Sequence, residues 1–225
     1  VDAGATWAPV GLASLGQDPY IHALAISPRY RFDGILYAAV SNQGLYRSND
    51  RGLNWTRVPI ATAPATLTIQ AIALSPNYTI DGTLFVGGSD GLLYKSVNFG
   101  STWSPIQMYT GPDALRVRSI ALSPDYARGD PTIFVATSGQ GTLRSTDGGA
   151  HWSQSNPAEP FRSTAWVALS PNYGTDHTVF SCYPERDALF ISTDRGSSWS
   201  LLVDGLGDAL PETLVVSPNY AADKL

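Results

Sequence analysis

The tetrapeptide Ser-Pro-x-Tyr begins at Ser27, Ser75, Ser123, Ser170 and Ser217, so the 225-residue chain repeats itself at steps of 48, 48, 47 and 47. A tryptophan keeps the same beat at Trp7, Trp55, Trp103, Trp152 and Trp199. A period of this size reduces the fold to one small unit stacked on copies of itself, each covering its neighbour's apolar face. In the second period, apolar-rich segments at residues 69–74, 83–86, 92–96 and 102–106 are divided by turn sequences, among them Pro76-Asn77-Tyr78, Asp81-Gly82 and Gly87 to Gly91. Strands of this length broken by Gly, Asn, Asp and Pro predict four antiparallel strands per unit and no helix longer than a turn. The expected fold class is therefore all-β, a β-propeller of four-stranded blades.

Three of the tryptophans end a Ser-x-Asp-x-Gly-x-x-Trp string: Ser48, Asp50, Gly52 and Trp55; Ser145, Asp147, Gly149 and Trp152; Ser192, Asp194, Gly196 and Trp199. A fourth copy, Ser96, Asn98, Gly100 and Trp103, has Asn for Asp, and a fifth, Asp2, Gly4 and Trp7, lacks its serine. These strings resemble the Asp-box, or bacterial neuraminidase repeat, of sialidase- and sortilin-like propellers, which some plant-polysaccharide hydrolases and photosystem II assembly factors also carry. Their coupling to Ser-Pro-Asn-Tyr and Asp-Gly-Thr-Leu-Phe resembles secreted bacterial repeat proteins. The resemblance covers the whole chain and speaks for the fold; the same blade hosts unrelated activities.

The recurring residues have a physical reading of their own. In a tight hairpin Asp and Ser accept from nearby backbone N–H groups, Gly supplies a positive φ and Trp covers the turn. A group needed once in a site has no reason to be copied into every blade, so this column reads as structural. So does the second one, Asp33, Asp81, Asp130, Asp176 and Asp223.

The chain reads as a single domain, 1–225, with repeats at about 21–58, 69–106, 117–155 and 165–203 and a last blade shared by 212–225 and 5–10. That last blade is short of about 13 residues when its ends are aligned on the second repeat. Five blades with one incomplete, a segment of a larger propeller, or an outer strand exchanged between molecules all accommodate such ends.

Strand order puts both recurring motifs on one face and leaves the opposite face to connections that differ in every repeat. Single-use residues there include the ligand-binding candidates Arg116, Arg118, Arg162, Tyr183, Arg186 and Asp187. The arginines suit an anionic ligand, because the guanidinium fork matches a carboxylate. The competing reading makes them solvated rim charges or partners of Asp113 and Glu159.

Composition narrows the function classes. With 43% hydrophobic and 15% charged residues the chain has material for a core, and no apolar run approaches the ~20 residues of a membrane span. A net charge of −5 is opposite to a nucleic-acid footprint. The lone Cys182 excludes an intrachain disulfide, and His22, His151 and His177 lack metal-ligand spacing, so no metal and no cofactor is expected. For a sialidase the resemblance implies an arginine triad, a tyrosine nucleophile backed by glutamate and an acidic Asp near the start. The family's Arg-Ile-Pro run is absent, and none of the three glutamates, Glu159, Glu185 and Glu212, stands beside a repeat tyrosine. For a general glycosidase pair, Asp187 with Glu159 or Asp18 remains. The expectation is a non-catalytic extracellular propeller, a structural, adhesive or assembly module of a cell-surface layer or filament, with protein or glycan partners on the variable face and self-assembly through terminal strands. The alternatives are a glycan- or protein-binding receptor-type propeller, and a glycoside hydrolase of the sialidase-like superfamily.

Overall fold

Each repeat folds into one antiparallel sheet whose four strands follow chain order from the inner edge to the outer. In the computed structural model, which describes residues 5–6, 20–64, 67–111, 115–156, 163–184, 188–203 and 213–223, the first blade comprises β1 (Ile21–Ile26), β2 (Leu36–Val40), β3 (Gly44–Ser48) and β4 (Thr56–Val58). The second comprises β5 (Ile69–Leu74), β6 (Leu84–Gly88), β7 (Leu92–Ser96) and β8 (Ser104–Gln107). β9 (Arg116–Leu122), β10 (Ile133–Ser138), β11 (Gly141–Ser145) and β12 (Ser153–Gln154) make the third. β13 (Trp166–Leu169), β14 (Val179–Tyr183), β15 (Ala188–Ser192) and β16 (Ser200–Val203) make the fourth. The inner strands stand side by side in sequence order, β1 next to β5, β5 next to β9 and β9 next to β13. This is the packing of successive propeller blades.

The second strand of each blade is apolar on both sides because it is covered on both. Leu84 and Val86 of β6 pack with Tyr37 and Ala39 of β2, while Phe85 between them packs with Ile133 and Val135 of β10. β10 repeats the alternation: Phe134 and Ala136 turn the other way, towards Val167 and Val179 of the fourth blade.

An aromatic relay runs through these interfaces. The second-strand rings Tyr37, Phe85, Phe134 and Phe180 each stand edge-on to the Ser-Pro-x-Tyr tyrosine of the next repeat, Tyr78, Tyr126, Tyr173 and Tyr220, with centroids 6.0, 5.9, 6.1 and 5.3 Å apart. Edge-to-face rings at this spacing are attractive beyond their buried area. The tyrosine therefore recurs because it couples one blade to the next.

The fifth repeat begins with the same one-turn helix, Tyr220–Asp223. Its expected first strand, 212–217, does not form over the described residues Thr213 to Ser217. A strand exists only through a hydrogen-bonded neighbour, and no described strand pairs with this segment. The expected strand at 5–10 has only Ala5 and Thr6 among the described residues. Among the described residues no helix is long and apolar enough to cross a membrane.

Candidate functional site

At one end of the blades the recurring side chains hold the backbone. Each Ser-Pro-x-Tyr serine donates to the aspartate closing its turn, at 2.6 Å for Ser27–Asp33, Ser75–Asp81, Ser170–Asp176 and Ser217–Asp223 and 3.0 Å for Ser123–Asp130. In the Ser-x-Asp-x-Gly-x-x-Trp hairpins the serine hydroxyl donates to Asp50, Asn98, Asp147 or Asp194, and accepts from the N–H of Gly52, Gly100, Gly149 or Gly196 at 2.8–2.9 Å. These glycines have φ of 79° to 100°, a region that side chains disfavour. The indole N–H of Trp55, Trp103 and Trp152 donates to the same glycines' carbonyls at 3.0 Å. The two motifs are stitched together within each blade, as where Arg51 N–H donates to Gly34 O at 3.0 Å and Phe99 N–H to Gly82 O at 2.9 Å. Hydrogen bonds from Ser198 hold the Asp194 carboxyl down at about 2, and those from His151 hold Asp147 well below the usual carboxylate range.

The other end repeats a backbone feature and varies the side chain on it. In β1 the register runs from Ile21 opposite Val40 to Ala23 opposite Ala39, which leaves His22 as an extra residue. The same slip leaves Gln70 extra in β5 and Arg118 extra in β9. In the fourth blade Ala165 N–H donates to Cys182 O at 3.0 Å while Trp166 is the register partner of Cys182, so two residues again meet one. All four positions lie five residues before the motif serine. A bulge of this kind re-aims a side chain out of the sheet's alternation.

Here the bulges turn their side chains to a common cleft. His22, Gln70, Arg118 and Ala165 line an open cavity of about 530 Å³ together with Tyr20, Trp166 and Pro184. A second space of about 220 Å³ continues among the inner strands and shares His22, Gln70, Arg118 and Trp166. Tyr20 is 69% exposed and stands edge-on to His22, with ring centroids 4.9 Å apart. The Gln70 side-chain oxygen is buried without a hydrogen-bond partner in the protein. Among the described residues the only ion pairs are Arg128–Asp125 and His151–Asp147, so Arg118 has no carboxylate partner there.

Of the candidates read from the sequence, Arg118 lies in this cleft. Arg116 is exposed at the start of β9, opposite Ser138, and is not part of the lining. Tyr183 is fully buried between the third and fourth blades, its hydroxyl 3.3 Å from Thr142 Oγ1, and does not reach a surface where a ligand would meet it. Arg162, Arg186 and Asp187 lie outside the described residues. The cleft residues that sequence reasoning passed over are His22, Gln70 and Trp166; for His22 and Gln70 the place five residues before the motif serine was the available signal. Cys182 is buried, and desolvation pushes its thiol up to about 11, away from nucleophile chemistry. No group of His, Cys, Asp and Glu with the makings of a metal site occurs among the described residues.

No family model and no curated protein matches the sequence. Solved structures do. An ancestral GH74 enzyme matches at a TM-score of 0.66 and 19% identity over 83% of this chain, and the GH74 xyloglucanase from Xanthomonas campestris at 0.62 and 24% over 80%. The RRP9 WD40 repeats match at 0.61 and 12% over 83% of this chain and 52% of their own. This chain spans 26% and 29% of the lengths of the two GH74 proteins. At identities this low the likeness establishes the β-propeller fold alone. The expectation of a non-catalytic structural, adhesive or assembly module is corrected, because the matched propellers include GH74 enzymes.

Proposed function

We propose that this chain is part of an extracellular glycan-processing propeller, a glycoside hydrolase, and that a saccharide chain lies across the cleft of His22, Gln70, Arg118 and Trp166. The observation that carries the reading is the lining itself. Aromatic rings beside hydrogen-bonding side chains are what a sugar requires, since it presents an apolar C–H face and a polar rim of hydroxyls. Tyr20 and Trp166 supply the rings, Gln70 an unused acceptor, and Arg118 and His22 the donors. The GH74 structures support it by their stated activity, and the Asp-box resemblance fits the same class of propeller.

Glycoside hydrolysis needs two carboxyl groups about 5–10 Å apart, one as acid and the other as base or nucleophile. Glu212 stands five residues before Ser217, the same place in its repeat as His22, Gln70, Arg118 and Ala165 in theirs. With Asp18, Glu159 and Asp187 it supplies the carboxylates this reading calls on. The test is release of reducing ends by the full-length protein from a panel of polysaccharides, xyloglucan included. Glu212→Gln and Asp187→Asn are expected to lower kcat by roughly 10²-fold or more with an unchanged melting temperature. Failure to bind or cleave any polysaccharide in the panel ends the proposal.

A further inference from the structure

We infer that the glycan this cleft takes is acidic, with Arg118 holding a carboxylate of the sugar chain while Gln70 and His22 flank it; this rests on the saccharide reading above. Charge is the first argument. The chain carries −5, yet the described lining of the cleft contains one arginine, one histidine and no carboxylate. Over its described lining the cleft is thus opposite in sign to the chain as a whole, which favours an anionic group beside Arg118.

The second argument is the bulge. A side chain in ordinary strand alternation on β9 faces the second or the fourth blade, as Val117 does in the core beside Phe85. The extra residue leaves that alternation, and it brings Arg118 into both the outer cleft and the inner channel. An arginine placed this way, without an ion pair among the described residues, presents its planar fork to whatever enters. That fork fits the two coplanar oxygens of a carboxylate bidentately, as a lysine point charge does not.

The third argument is the arrangement around it. Gln70, on the inner strand next to β9, has a buried oxygen with no protein donor, which suits a sugar hydroxyl adjacent to the charge. Trp166, on the inner strand to the other side, lies where the apolar face of the same or the next ring would stack. His22, on the inner strand beyond Gln70, adds a ring nitrogen that can hydrogen-bond a neighbouring sugar hydroxyl. A uronate-containing chain satisfies all three neighbours at once. A neutral glucan leaves the guanidinium unanswered.

The probes are polygalacturonate and alginate, set against methyl-esterified polygalacturonate, xyloglucan and dextran sulfate, with binding to the full-length protein measured by titration calorimetry. The expected result is that a polyuronate binds at least tenfold tighter than the esterified polymer and that the preference weakens with salt. Arg118→Gln is expected to abolish that preference, a loss of about tenfold or more, while Arg118→Lys restores only part of it. Melting temperatures should stay unchanged. Equal binding of esterified polygalacturonate or xyloglucan overturns the inference and leaves the saccharide reading standing; no binding to any polymer overturns both. Dextran sulfate bound as tightly as polyuronate would reveal an unspecific polyanion surface and overturn it. So would a lowered melting temperature for Arg118→Gln, which would mean that a carboxylate of the chain itself holds the arginine.

Discussion

The two ends of the blades follow opposite rules. At the motif end the blades carry nearly the same side chains and hydrogen bonds: Ser145 to Asp147 and Gly149 N–H to Ser145, with counterparts around Ser48, Ser96 and Ser192, and Trp152 to Gly149, with counterparts at Trp55 and Trp103. At the cleft end the extra backbone residue recurs, but it is His22 in one blade, Gln70 in the next and Arg118 in the third. A copied side chain answers a need present in every blade, which is to close a hairpin and cover its neighbour. A copied backbone device with uncopied side chains builds one composite surface in which each blade contributes something different.

The sharpest attack on this division is to damage the relay at the motif end. Tyr78→Ala and Tyr173→Ala each remove a fully buried ring from a blade interface. Both should cost about 3–5 kcal/mol in urea unfolding. If Tyr20→Ala in the cleft costs as much, the two ends are not different in kind. Next in size is Ser145→Ala, which strands the Gly149 N–H and loosens Asp147, and is expected to cost about 1–3 kcal/mol by the same measurement.

In the cleft the readout changes from stability to affinity. Trp166→Ala should weaken polysaccharide binding about tenfold, with a smaller loss of stability than Tyr78→Ala.

The pH dependence of melting probes the motif end and the buried blade interfaces, with no titrating group of the cleft involved. Asp194 is held at about 2 by Ser198 and Ser192, below its unfolded value of 3.8. Its contribution is therefore present above pH 3.8 and is lost as the pH falls through about 2. Burial raises Cys182 from 9.0 to about 11, and Tyr126 and Tyr173 from 10.0 to about 12. Those groups contribute below pH 9 to 10, and their contribution is lost as the pH rises towards 11 to 12. Melting temperature should be level between these windows and fall on both sides, and Asp194→Asn should flatten the acid arm. The smallest effect expected is that of Ala165→Gln, which adds a fourth polar side chain to the cleft lining. Its stability change should lie within about 0.5 kcal/mol, while binding measurements on the same variant should detect an altered ligand preference.

The blade itself was legible from residue pattern. The strands at 69–74 and 92–96 match β5 and β7 at both ends, whereas the segment at 102–106 begins as a strand only at Ser104. The reason is local: Thr102 N–H still donates to the Asn98 side chain and Trp103 to Gly100, so the chain is turning until the hairpin closes. In the cleft, Arg118 was legible as a single-use arginine on a variable face, though not as one without an ion pair. His22 and Gln70 were not, because a bulge breaks the period-two alternation by which inward and outward residues are told apart.

By itself the sequence determined that this is a propeller of four-stranded blades. Period, turn residues and the Ser-Asp-Gly-Trp hairpins are local properties, and each is satisfied within one repeat or against its neighbour. Which residues share a site was decided only by the tertiary structure. His22, Gln70, Arg118 and Trp166 are separated by some 48 residues at each step, and only the side-by-side packing of four inner strands, each with a slip in its register, brings them to one cleft.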